Sequence, residues 1–114
     1  MRVLVVGAGR AGTRVIRQLQ KNTDITVITV DPREQPYAVE AGFIDKVDVR
    51  EVVTPLTLEY ILEQVHPDLV LLAAATEDLA LGHAPGLDLL SDALREELAS
   101  ISTIPVIPVA RTGL

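Results

Sequence analysis

The stretch Arg2-Val3-Leu4-Val5-Val6-Gly7-Ala8-Gly9-Arg10-Ala11-Gly12 decides the fold of this chain. Val3 to Val6 form an unbroken apolar run, β-branched at every position but Leu4. That is the pattern of a strand covered on both faces rather than on one. The run passes directly into Gly7-Ala8-Gly9-Arg10-Ala11-Gly12, a G-x-G-x-x-G placed between a strand and a helix. Each glycine of such a turn answers a different steric demand. Gly7 permits the tight turn, Gly9 allows a pyrophosphate close to the backbone, and Gly12 lets the helix lie near the strand. The free N–H groups of the first helical turn and the helix dipole favour an anion there.

Outward from this stretch, Ala11, Val15 and Leu19 with Gly12 and Ile16 make one apolar helical face. Arg10, Arg14, Arg17 and Lys21 recur at spacings of 4, 3 and 4, and this basic stripe reads as a solvated outer face. Further apolar runs predict strands at 25–30, 46–49 (a weak one), 68–73 and 104–109. Helices are predicted at 34–41, closed by Gly42, at 57–65, stopped by Pro67, and at 87–99. Strands alternating with helices point to an α/β fold. The expectation is one Rossmann-like domain over residues 1–114, with a doubly wound, mainly parallel sheet of about five strands in the order 3-2-1-4-5 and helices on both faces. Pro105 and Pro108 cannot donate to a ladder, so the last strand belongs at a sheet edge or is very short. With five strands in place of the six of a dinucleotide fold, the expected sheet would have a bare edge that invites a partner chain, and a homodimer is expected.

A nucleotide site of this kind needs a second anchor, an acidic residue at the end of the second strand that accepts hydrogen bonds from ribose hydroxyls. Asp31 ends Ile25-Thr26-Val27-Ile28-Thr29-Val30 and lies nineteen residues after Gly12, against an expected gap of about 20. A carboxylate there repels a 2′-phosphate, which favours NAD(H) or an adenine nucleotide (ATP, ADP or AMP) over NADP(H), while Arg33 works the other way. Asp48, after the weak third strand, is a candidate for the adenine N6 amine. The alternatives are an Asp31 that only shapes the turn before Pro32 and an Asp48 that is an ordinary loop residue. In Ala73-Ala74-Ala75-Thr76-Glu77-Asp78, Ala74 and Thr76 stand after the fourth strand, beside the expected switch point. Residues 79–86 hold Gly82, His83, Pro85 and Gly86 and read as a mobile loop over the ligand. His83 is its one acid–base group, but no residue can be named to orient it, so no catalytic role is assigned. The candidate cofactor-binding set is Gly7, Gly9, Arg10, Ala11, Gly12, Asp31, Arg33, Asp48, Ala74 and Thr76.

Composition narrows the remaining classes. The 114 residues include no cysteine, which excludes thiolate catalysis, iron–sulfur ligation and disulfides and leaves the cytoplasm as the expected compartment. Ten basic against sixteen acidic residues give a net charge of −6, the wrong sign for neutralising nucleic-acid phosphates. The run at 2–6 is too short for a signal peptide or a membrane span, so no direct membrane insertion is expected. No Gly-x-x-x-x-Gly-Lys-Ser/Thr and no Gly-x-Ser-x-Gly occur. His66 and His83 are seventeen positions apart with no cysteine to help, a poor start for a metal site. Val6 stands where a methyltransferase carries an acid, and Gln64 and Ala41 stand where a Tyr-x-x-x-Lys pair would need lysine after Tyr60 or Tyr37. Hydride transfer would require another polypeptide to supply the substrate site. A third class is an interaction module whose glycines serve backbone geometry alone.

Taken together, the glycine turn, Val30-Asp31-Pro32, the Asp near the third strand and Ala73-Ala74-Ala75-Thr76-Glu77-Asp78 resemble the regulator-of-potassium-conductance (KTN or TrkA-N) domain over about residues 1–81. The resemblance implies an NAD(H)- or adenine-nucleotide-binding domain that, as a dimer or larger ring, regulates cation channels and transporters. It assigns Gly7, Gly9, Arg10 and Gly12 to the phosphates, Asp31 to the ribose and Asp48 to the adenine. This chain departs from the family at Val47-Asp48-Val49-Arg50, where Gly-Asp-Ala-Thr is usual, and at Leu79-Ala80-Leu81, where an Asn is usual. The expected function is that of a nucleotide sensor or regulatory domain with a membrane transport protein as a partner.

Overall fold

The structure, a computed structural model, describes residues 1–73 and 104–109. Over these residues the order is β1 (Arg2–Val6), α1 (Arg10–Gln20), β2 (Thr26–Val30), α2 (Tyr37–Glu40), α3 (Pro55–Val65), β3 (Leu69–Leu72) and β4 (Val106–Pro108). The strands form one parallel sheet in the order β2-β1-β3-β4. β1 is central: Val5 is paired with Thr29 of β2 on one side and Leu71 of β3 on the other.

Because β1 is covered on both faces, its alternate side chains enter two separate cores. Leu4 and Val6 point toward α3, where they pack with Leu58, Ile61, Val30, Val53, Val70 and Leu72. Val3 and Val5 point to the opposite face and pack with Ile16 of α1, Ala38 of α2, Ala8 and Ala73. This two-sided burial accounts for the unbroken apolar run. Leu4, Ile16 and Leu58 are fully buried, each contributing about 1.5–3 kcal/mol relative to an exposed side chain. The basic stripe of α1 is exposed as expected, but Arg10 and Arg17 also lie over the rings of Tyr37 and Phe43, 5.1 and 4.7 Å from their centroids.

The structure corrects three expectations. The weak strand at 46–49 is a single parallel bridge between Val30 and Val49, so the described sheet has four strands rather than five. Only Val49 contributes a ladder pair, flanked by the bonds Val49 N–H to Thr29 O and Asp31 N–H to Val49 O. The second helix is the single turn Tyr37–Glu40, shorter than 34–41, because Pro36 lacks an N–H and disfavours helical backbone in the residue before it. Gly42 closes it at φ 81°, its N–H donating to Val39 O. The third helix starts two residues before 57, at Pro55. Thr54 and Thr57 bond each other's backbone N–H reciprocally in a capping box, and Pro55 at the first position needs no acceptor. At its other end His66 takes the left-handed conformation at φ 51° before Pro67.

Only three residues form β4, with Pro108 at its end and Pro105 just before it, which suits residues that cannot donate to a ladder. The helix predicted at 87–99, the loop at 79–86 with His83, and Ala74 and Thr76 lie outside the described residues. Among the described residues, no helix is long and apolar enough to cross a membrane.

Candidate functional site

The connections of the sheet set the place of the site. The chain leaves β1, crosses by α1 to β2 on one side, and then returns by α3 to β3 on the other. The winding reverses between β1 and β3, and open α/β sheets bind ligands outside the carboxyl ends of the strands at such a point. The turn after β1 occupies this place, and Ala73 after β3 is tied beside it by its N–H bond to Val6 O at 2.9 Å.

Each residue of the turn is held by a different element. Gly7 has φ 100°, a conformation open to glycine at no steric cost, and its N–H donates to Val30 O at 2.8 Å. Ala8 is fully buried, its N–H donating to Asp31 Oδ2 at 2.9 Å and its carbonyl accepting from Ala38 N–H at 3.0 Å. Gly9 is the N-cap of α1, and its carbonyl accepts both the N–H and the hydroxyl of Thr13, at 2.8 and 2.7 Å. Gly12 meets the closest constraint, since a Cβ there would lie 1.7 Å from the Gly7 carbonyl oxygen. Strand, turn and helix are therefore locked together by backbone contact.

What faces outward from this scaffold is positive. Arg10, Ala11 and Gly12 fill the first turn of α1, where backbone N–H groups have no intrahelical acceptor and carry the positive end of the dipole. The exposed Arg10 guanidinium stands at the same end, over Tyr37. This combination suits a phosphate group.

Asp31 follows β2 at the same edge and is only 1% exposed. Its carboxylate accepts four N–H donors. Ala8 N and Arg33 Nη2 reach Oδ2 at 2.9 and 2.8 Å, and the backbone N and Nε of Arg33 reach Oδ1, both at 2.9 Å. Four is about the acceptor capacity of a carboxylate. Among the described residues every buried side-chain nitrogen and oxygen has a hydrogen-bond partner.

The structure thus brings Gly7, Gly9, Arg10, Ala11, Gly12, Asp31 and Arg33 together. Asp48 sits beside β2, next to Val49, whose carbonyl accepts the Asp31 N–H, and it is bonded to Thr29. Its Oδ2 accepts from the N–H and hydroxyl of Thr29 at 2.9 and 3.1 Å, and its own N–H donates back to Thr29 Oγ1 at 3.1 Å. It lines an open cleft of about 400 Å³ beside β2, with Gln20, Val27, Thr29, Phe43, Ile44, Asp45 and Lys46, and none of the glycine-turn residues takes part.

Three contributions to the site were not read from the sequence: the Ala8 backbone bonds, the Thr13 bonds to Gly9, and the contact of the second helix with the turn through Ala38. Ala8 acts through its backbone, which no side-chain motif encodes. Thr13 could have been noticed as a polar residue on the inward side of α1, four positions after Gly9. Among the described residues no group of three or more His, Cys, Asp or Glu is placed to hold a metal ion.

Fold and site together define an α/β protein with a parallel sheet and a glycine-rich turn at its switch point. No family model matches the chain, and no curated protein is significantly similar to it.

Proposed function

We propose that this protein is a nucleotide-binding sensor or regulatory domain that takes NAD(H) or an adenine nucleotide. The observation that carries the reading is the coincidence, at the switch point of a parallel sheet, of a glycine turn, the open amides of α1, the Arg10 guanidinium and the Asp31 carboxylate. Residues 9–12 would hold the phosphates and Asp31 would meet the ribose. A bound NAD(H) would supply redox-dependent occupancy, and an adenine nucleotide would supply occupancy that follows energy state. Within the same proposal the protein works in the cytoplasm as a homodimer and regulates cation, potassium above all, transport through a membrane protein partner. The resemblance to regulator-of-potassium-conductance domains supports that part.

One specific observation favours a second reading, an interaction module that binds no nucleotide. Gly12 is demanded by packing against Gly7, and Asp31 already serves the turn, so both signature residues have a structural use.

Calorimetric titration with NAD+, NADH, NADP+, ATP, AMP and S-adenosylmethionine separates the two. Saturable binding of NAD(H) or an adenine nucleotide, lost in a folded Asp31→Ala variant and weakened in Arg10→Ala, is the expected result. Silence with all six ligands would refute the sensor reading and leave the interaction module.

A further inference from the structure

We propose that Arg33 is an internal competitor for the ribose site: a nucleotide binds by exchanging its ribose diol for the Arg33 guanidinium on Asp31. The inference rests on the nucleotide reading and specifies how that site is regulated. The Asp31 carboxylate is filled by four donors, two from backbone N–H groups of Ala8 and Arg33 and two from the Arg33 side chain. The backbone pair belongs to the turn itself. The side-chain pair is the one that can leave without moving the backbone, and its cationic end lies at the surface, with the Arg33 side chain 40% exposed and that of Asp31 fully buried. Solvent around the guanidinium screens that end of the pair and can take up its donors when they leave.

The geometry also selects the competitor. Nε and Nη2 of Arg33 present two parallel donors, one to each oxygen of Asp31, the fork by which guanidinium groups meet carboxylates. A ribose 2′,3′-diol presents two adjacent O–H donors. It can replace the fork donor for donor, so the buried carboxylate keeps its hydrogen bonds throughout. No covalent bond changes. A 2′-deoxyribose offers one donor and leaves an acceptor site unfilled, while a 2′-phosphate offers none at that position. When the diol is seated, the guanidinium moves off Asp31 into the solvent beside the nucleotide, so the position of Arg33 at the surface reports occupancy.

The test uses the whole chain, with 5′-AMP, 2′-deoxy-5′-AMP, NADH and NADPH titrated by calorimetry into wild type and Arg33→Ala. In parallel, the Arg33 Nε–H resonance of 15N-labelled wild type is followed through the AMP titration. Removing the competitor is expected to tighten AMP and NADH binding by at least about fivefold, since about 1 kcal/mol is the upper range even for a pair exposed at both ends and this one is buried at Asp31. The gain for 2′-deoxy-5′-AMP should be smaller, and saturating AMP should move the Arg33 Nε–H resonance from its ion-paired position. Unchanged or weaker AMP binding by Arg33→Ala, or an unmoved resonance at saturation, overturns the exchange. Tighter wild-type binding of NADPH than NADH, lost in Arg33→Ala, also overturns it, because Arg33 would then be a phosphate ligand. If neither protein binds any of the four, the nucleotide reading itself has failed, an outcome distinct from binding that Arg33 does not oppose.

Discussion

Replacing Gly12 by alanine tests the packing logic of the glycine turn without reference to any ligand. The new Cβ would stand 1.7 Å from the carbonyl oxygen of Gly7 and 2.6 Å from its carbon. Carbon and oxygen in close non-bonded contact sit about 3.3 Å apart, so the overlap to be relieved is about 1.6 Å. Gly7 has little freedom to yield, because its N–H is bonded to Val30 and the next residue is bonded to both Asp31 and Ala38. Relief must come from α1 moving off the sheet. Overpacking by itself costs about 1–3 kcal/mol. Displacing the helix also strips contacts from Ile16 and from the half-buried Val15 and Leu19, raising the total to about 3–5 kcal/mol. Alanine's better helix propensity returns about 1 kcal/mol, for a net loss of about 2–4 kcal/mol. Far-UV circular dichroism should show a melting temperature lower by about 10–20 °C, with a reduced urea midpoint. Ala11→Gly, one position earlier, is the control and should lose only about 0.5–1 kcal/mol through backbone entropy. A Gly12→Ala protein as stable as wild type, or more stable, would refute the close approach of α1 to Gly7.

Thr54→Ala removes one half of the capping box of α3 and should cost about 1 kcal/mol in urea denaturation, while Thr57 still bonds the Val52 carbonyl in the parent protein's geometry. His66→Gly should raise stability by about 0.5–1 kcal/mol, since the left-handed φ of 51° strains a histidine and not a glycine. A fall in melting temperature would count against that conformation. Leu58→Ala empties the centre of the core between α3 and the sheet and should cost about 2–5 kcal/mol, measured by equilibrium unfolding.

Much of the described fold was legible because its causes are local. An unbroken, mostly β-branched Val-Leu-Val-Val run suits a strand covered twice, and the structure puts Leu4 and Val6 in one core and Val3 and Val5 in the other. The glycine spacing likewise required a helix close against the strand. Element ends were less legible. Thr54-Pro55-Leu56-Thr57 carries a start signal that the apolar spacing of α3 hides, and Pro36 trims α2 from the front. The 46–49 segment misled because Val47 and Val49 look like strand residues. Val47 is nevertheless buried without a ladder partner, and Val49 makes the single bridge.

By itself the sequence determined the parallel α/β plan, the position of the glycine turn and the identity of the acid after β2, since periodicity, glycine sterics and proline's missing donor all act within a few residues. What the two aspartates are bonded to was decided by tertiary structure alone. Asp31 meets Ala8 across 23 residues, and Asp48 meets Thr29 across 19. An aspartate has the same side chain in either setting. Its role follows from which donors the folded chain carries to it, and only a folded chain brings backbone N–H groups from distant segments within 3 Å of a carboxylate.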